Sequence, residues 1–90
     1  MEDNCRITIQ VELRKPLAEF AYSMEQVLKE NDYKGGWSEL SYPHLLARLD
    51  RERDELLLAI HDGLTTEEIK KECCDVANFA MMIFDWFNRR

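Results

Sequence analysis

Ninety residues leave room for one domain with a modest core, and a 46% hydrophobic content places the chain among folded proteins, not disordered ones. Its formal net charge of −6 argues against the basic face that duplex DNA or RNA requires, although a metal ion can still bring a small phosphate ligand to an acidic protein. The longest unbroken apolar stretch, Phe79 to Phe84, is far short of the roughly 20 residues that cross a membrane, and the acidic start Met1-Glu2-Asp3-Asn4 is unlike a signal peptide.

Cys5, Cys73 and Cys74 make an odd set with no secretory signal, which predicts reduced thiols and a cytoplasmic protein. Cys73 and Cys74 are neighbours, so on a helix they project about 100° apart. They read as small core residues. Together with His44 and His61 they do not form the paired spacing of a zinc site.

Ile7, Ile9, Val11 and Leu13 alternate with polar residues at a strand-like period of two. One such segment makes no sheet, so residues 1–13 are expected to be an extended arm or the lead-in to a helix. Pro16 suits the first turn of that helix. Leu17, Phe20, Ala21, Met24, Val27 and Leu28 follow at helical spacing, and the helix is expected to end near Asn31. The segment Asn31-Asp32-Tyr33-Lys34-Gly35-Gly36-Trp37 has turn chemistry and an exposed-looking tryptophan.

Ser41 is a plausible N-cap with Pro43 just inside the second helix. Leu45, Leu46, Leu49, Leu56, Ala59 and Ile60 form its apolar stripe, and Gly63 sits where a helix C-terminal glycine belongs. Thr65 or Thr66 caps the third helix, with Glu67 and Glu68 favourable in its first turn. That helix runs through Ile69, Val76, Ala80, Ile83 and Phe87. The expected fold is an all-α, antiparallel bundle of three main helices, each about 20 residues long, with the last two adjacent because their connection is short.

The acids carry the chemistry. Glu52 and Glu55 are three apart on the second helix, and Glu72 and Asp75 are three apart on the third, so each pair shares a face. With Glu52 at zero and about 100° per residue, Leu45, Leu56 and Leu49 fall at about 20°, 40° and 60°, and Glu55 at about 300°. From Glu72, Ile83, Val76 and Phe87 fall at about 20°, 40° and 60°, and Asp75 again at about 300°. The first acid of each pair therefore lies inside an apolar stripe and the second beside it. Exposed acid pairs are common on helices, but carboxylates on a buried face are costly unless neutralised. Four of them converging across a helix pair call for a hard divalent cation such as Mg²⁺, which prefers oxygen ligands and keeps positions for water or phosphate.

The pattern Glu52-x-x-Glu55 followed by Glu72-x-x-Asp75, with Lys34-Gly35-Gly36-Trp37 upstream, resembles the MazG-like family of all-α nucleoside triphosphate pyrophosphohydrolases. The segment from Glu72 to Ile83 is similar to that family's metal-binding third helix, and the likeness extends over roughly residues 17 to 87. The resemblance implies Mg²⁺-dependent hydrolysis of a (d)NTP to the monophosphate and pyrophosphate, in nucleotide-pool house-cleaning, with Mn²⁺ a possible substitute. It implies that Glu52, Glu55, Glu72 and Asp75 are the metal ligands and catalytic groups, Glu55 also orienting the attacking water. Lys34 and Trp37 would contact the nucleotide, and Asn78, one turn beyond Asp75, would bond its sugar or phosphate.

Arg48 and Lys71 flank the acids. They are phosphate candidates by position, but the first expectation for them is ordinary i,i+4 ion pairing with Glu52 and Asp75. Many members of the family carry a further helix after the third. The apolar surface of Phe79, Met81, Met82, Phe84, Trp86 and Phe87 is wider than one helix pair can cover, which predicts a homodimer or homotetramer. The competing expectations are a non-catalytic nucleotide-binding or regulatory helical module of the same fold, and a purely structural helical oligomer. The second would keep its charges at the edges of the stripes, where Glu52 and Glu72 do not lie.

Overall fold

Helix boundaries follow from a few capping residues. A computed structural model describes residues 6–90, apart from the side chain of Tyr33, so Cys5 and the first residues of the expected arm lie outside the described residues. Arg6 to Arg14 carry no regular structure, and Ile7, Ile9 and Val11 are exposed. A period of two without a second strand has no ladder to join, and among the described residues there is no strand.

Helix α1 is Lys15–Glu30, with Pro16 in its first turn. Its last carbonyls are closed by Asn31, whose Nδ2 donates to the Val27 carbonyl at 3.0 Å. A single 3₁₀ turn, Asp32–Lys34, follows. Helix α2 is Tyr42–His61, and the Ser41 hydroxyl accepts from the His44 amide. Helix α3 is Thr66–Asn88, where the Thr65 hydroxyl accepts from the Glu68 amide at 3.2 Å. Between α2 and α3, Gly63 takes φ 68°. Its amide donates to the Ile60 carbonyl and that of Leu64 to the Ala59 carbonyl, a Schellman end that needs the left-handed residue glycine supplies.

That tight connection folds α3 back along α2. The start of α2 meets the end of α3 through Tyr42, whose ring lies 5.0 Å from Trp86 and 5.3 Å from Phe87 between centroids, so the two helices run antiparallel. Helix α1 also packs on α3, but α1 and α2 do not pack on one another. The third helix is therefore the hub, and a groove is left between the other two.

The interior is small. Leu45 is the one large side chain fully buried among the described residues, joined by Val27, Ala59 and Cys74. Several positions of the expected stripes stay open: Leu17, Phe20, Leu46, Ile60 and Phe87 are exposed. The physical reason is that α1 packs on α3 and not on α2, and among the described residues no fourth α-helix covers the outer faces of α2 and α3.

Truncating the single filled position should be felt throughout. Leu45→Ala should lower unfolding free energy by about 2 to 5 kcal/mol in urea titration, the range for a large-to-small core change. A loss below about 1 kcal/mol would mean that Leu45 is not the anchor of this core.

Candidate metal centre

The α2–α3 interface brings the acids together. Carboxylate oxygens of Glu52, Glu55 and Glu72 all lie within 4.8 Å of one another. Glu52 is only 8% exposed, Glu72 is half-buried and Glu55 is exposed. The helical spacing produces this gradient: Glu52 points into the α2–α3 seam with Leu45, while Glu55 sits one step round the cylinder towards solvent. Asp75 falls outside that tight set. It is half-buried on the next turn of α3, close enough for its charge to act on Glu52 and Glu72.

Crowding of like charges shows in the proton affinities. Burial raises the Glu52 carboxyl to about 7, helped by a hydrogen bond with Glu55 and by the charges of Glu55, Asp75 and Glu72. Glu72 is pushed up by burial and then by Asp75 and Glu55, with Lys71 opposing. Asp75 is raised by burial, against the pull of Lys71 and Lys34. Three carboxyls thus hold protons more tightly than in water, as carboxylates do when they share a site without a cation.

The donor set fits a hard divalent ion. All its atoms are carboxylate oxygens, and Glu72 Oε2 is a buried acceptor with no hydrogen-bond partner. Cys74 is buried on the same helix, its thiol pushed up by burial and by Asp75, which makes it an inert packing group.

A cavity of about 420 Å³ opens beside the acids. It occupies the groove between α1 and α2, floored by α3 and covered by the 31–40 loop. Glu52 and Asp75 line it, and so do Lys34, Trp37, Arg48, Lys71 and Asn78. All five residues singled out for a nucleotide therefore meet in one cavity. Glu55 and Glu72 lie at the margin, outside its lining.

Each residue is held in a definite way. Arg48 stacks on the Phe79 ring at 4.9 Å and reaches Glu52 at 3.9 Å, while its Nε has no hydrogen-bond partner. Lys71 pairs with Glu30 of α1 at 3.8 Å. Its expected i,i+4 partner, Asp75, is reached through charge alone, because the long lysine stem extends across the groove to α1. Gly35 has φ 86° and ψ −178°, a conformation closed to residues with a side chain, and this turns the loop over the cavity. Trp37 then donates its Nε1–H to Asp85 Oδ2 at 3.0 Å. Its polar edge is spent on α3, so the rest of the ring offers only an apolar surface.

Two residues of the site had no signal strong enough to stand out. Asp85 anchors the loop through Trp37 and is itself paired with Arg89 at 3.1 Å. An isolated acid between Phe84 and Trp86 was the available hint. Glu30 looked like any acid near a helix end until the fold set it opposite Lys71.

The raised acids give a pH dependence of known sign. Glu52 binds its proton more tightly in the folded chain than at its ordinary value of 4.5, so without metal its contribution to stability is fully present below 4.5 and lost as pH rises through about 7. Divalent cation binding displaces those protons and should reverse the trend. At pH 8, Mg²⁺ at about 100 times its Kd should add about 2.7 kcal/mol. At pH 5 it should add far less. Thermal melts with and without Mg²⁺ at both pH values are the check, and an identical Tm throughout would remove the case for a metal centre.

No protein-family model, no curated protein and no solved structure matches this chain, so what the centre does follows from its own geometry and charge.

Proposed function

We propose that the chain is a Mg²⁺-dependent nucleoside triphosphate pyrophosphohydrolase that converts a (d)NTP and water to the monophosphate and pyrophosphate. One observation carries this reading: a buried carboxylate, Glu52, joins an acid cluster to a cavity whose other walls carry Arg48, Lys71 and Lys34. Acids that demand a cation, set beside cations suited to anions, match a metal-bound polyphosphate better than any neutral ligand.

In this reading Glu52, Glu55, Glu72 and Asp75 hold the ion. Bound Mg²⁺, or Mn²⁺ in its place, supplies positive charge to the phosphates and acidifies water at the site. Arg48, Lys71 and Lys34 receive the phosphate oxygens across the groove. Glu55, the exposed member of the cluster, orients water for attack on the α-phosphorus. A bond forms from the water oxygen to that phosphorus and the bond to the bridging oxygen breaks. Pyrophosphate leaves with the bridging oxygen, and the water protons pass to solvent through the carboxylates. Such a role suits nucleotide-pool house-cleaning in the cytoplasm. No helix among the described residues is long and apolar enough to cross a membrane.

A non-catalytic nucleotide-binding module of the same shape would keep the cavity without turnover. Pyrophosphate release from a panel of dNTPs with Mg²⁺, with and without EDTA, separates the two. EDTA-sensitive release is expected.

We further propose that the working unit is a homodimer or a dimer of dimers. Phe84 is 69% exposed and Phe87 56% exposed near the end of α3, and Leu57, Leu58 and Ile60 are exposed on α2. Covering a large apolar side chain is worth about 1.5 to 3 kcal/mol, a sizeable share of a small domain's stability. Sedimentation equilibrium at micromolar protein should give a mass at least twice 10.7 kDa. An active species at 10.7 kDa would exclude the assembly.

The acids should separate activity from stability. Glu52→Gln should abolish pyrophosphate release yet raise the metal-free Tm at pH 8, since it removes a buried charge and keeps its shape. Glu55→Gln and Asp75→Asn should also abolish release while circular dichroism stays helical. Near-normal turnover in any of the three would mean that the ligand shell is wrongly assigned.

A further inference from the structure

Asn78 is 3% exposed, and its two amide atoms are treated differently by the fold. Nδ2 donates to the Met24 carbonyl of α1 at 3.2 Å. This bond fixes the orientation of the amide, because the flipped form would set oxygen against oxygen. Oδ1 is the other polar atom of that amide. It is buried, has no hydrogen-bond partner, and belongs to a residue that lines the cavity. A buried acceptor without a donor is costly, and native structures rarely leave one.

The chemistry of that atom is selective. An amide oxygen only accepts, and so do the ionised oxygens of a polyphosphate. Oδ1 therefore cannot bond phosphate, and of the two contacts expected for Asn78 the one to the nucleoside is the one this atom can make. Its place along α3 agrees. Asn78 is three residues past Asp75, a rise of about 4.5 Å along the helix, in the direction of Met82 and of Asp85, which anchors Trp37. The cavity is charged beside Asp75 and apolar around Trp37, Leu40 and Met82. Asn78 stands at the change between the two.

We propose that Asn78 Oδ1 accepts a hydrogen bond from an O–H or N–H donor on the nucleoside part of the ligand, so that the site discriminates among nucleosides as well as holding a polyphosphate. This rests on the nucleotide reading above and narrows it. The donor is a sugar hydroxyl or a base amino or imino group. A site with a buried acceptor rejects the analogue that lacks the donor, since the acceptor is then left dry and unpaired.

The test is calorimetric titration of the full chain with Mg²⁺ and non-hydrolysable α,β-imido nucleotides. Deoxycytidine imidotriphosphate is compared with its 3′-deoxy counterpart and with the pyrimidin-2-one analogue that lacks the base amino group. Inorganic tripolyphosphate serves as the phosphate-only probe. One of the two analogues should bind about 10- to 100-fold more weakly than the parent, and which one identifies the donor as sugar or base. In Asn78→Leu the difference between parent and analogue should vanish while tripolyphosphate binds as before. Equal binding of all three nucleotides to the unaltered chain would overturn the proposal, and that arm needs no variant to fold. So would an Asn78→Leu protein that loses tripolyphosphate as strongly as nucleotide. Donor-dependent binding without any pyrophosphate release would reject the hydrolase reading and leave this one standing. Turnover without donor dependence would do the reverse.

Discussion

Three crowded carboxylates of the α2–α3 seam, Glu52, Glu55 and Glu72, with the charge of Asp75 close by, are the constraint on which the rest of the molecule turns. A seam of this kind ordinarily belongs to leucines. Here Leu45 fills it at one point and Glu52 is buried at another. Burial and like charge together raise Glu52 to about 7, so near neutral pH the cluster retains protons that water would have removed. A small interior cannot carry that cost for nothing, and a hard cation is the simplest group that turns repulsion into coordination. On the proposed reading the same residues would limit stability without metal and supply affinity with it.

The cavity has a topological origin. Helix α3 contacts both other helices, and those two do not contact each other. A three-helix arrangement closed on all sides would bury the groove under leucines. Left open, the groove places α1 opposite the acids and lets Lys71 reach across to Glu30, while the loop tied by Trp37 to Asp85 covers its far end. Charged and apolar side chains both line the cavity. Asn78, which lines the cavity, gives one amide N–H to α1 and keeps a buried acceptor without a partner.

Openness also leaves apolar surface on the outside. With one large side chain fully buried and Phe84, Phe87, Leu57 and Leu58 exposed, hydrophobic residues make up much more of the chain than its interior can use. The aromatic contacts of Tyr42, Trp86 and Phe87 secure the antiparallel pairing at one end, and Arg90 stacks on Trp86 at 3.7 Å. None of these contacts covers the outer faces of α2 and α3, and the proposed self-association rests on that surface.

The sequence by itself determined the local features. Ser41, Thr65 and Gly63 marked helix ends because capping and left-handed turns depend on a few adjacent atoms. The 3.6-residue period placed Glu52 among apolar positions, and it is buried, since the face of a helix is fixed by counting. The same counting overstated the core: Leu17, Phe20 and Phe87 lie on apolar stripes and remain exposed, because a stripe shows which face is apolar and not whether a neighbour arrives to cover it. Only the tertiary structure decided that Lys71 pairs with Glu30, that Trp37 binds Asp85, that Asp75 stands outside the tightest group of acids, and that Asn78 has a buried acceptor without a partner. Each of these joins residues far apart in the chain or depends on which atom of a side chain is already used. Distances across a groove are set by how helices pack, and no local pattern records them.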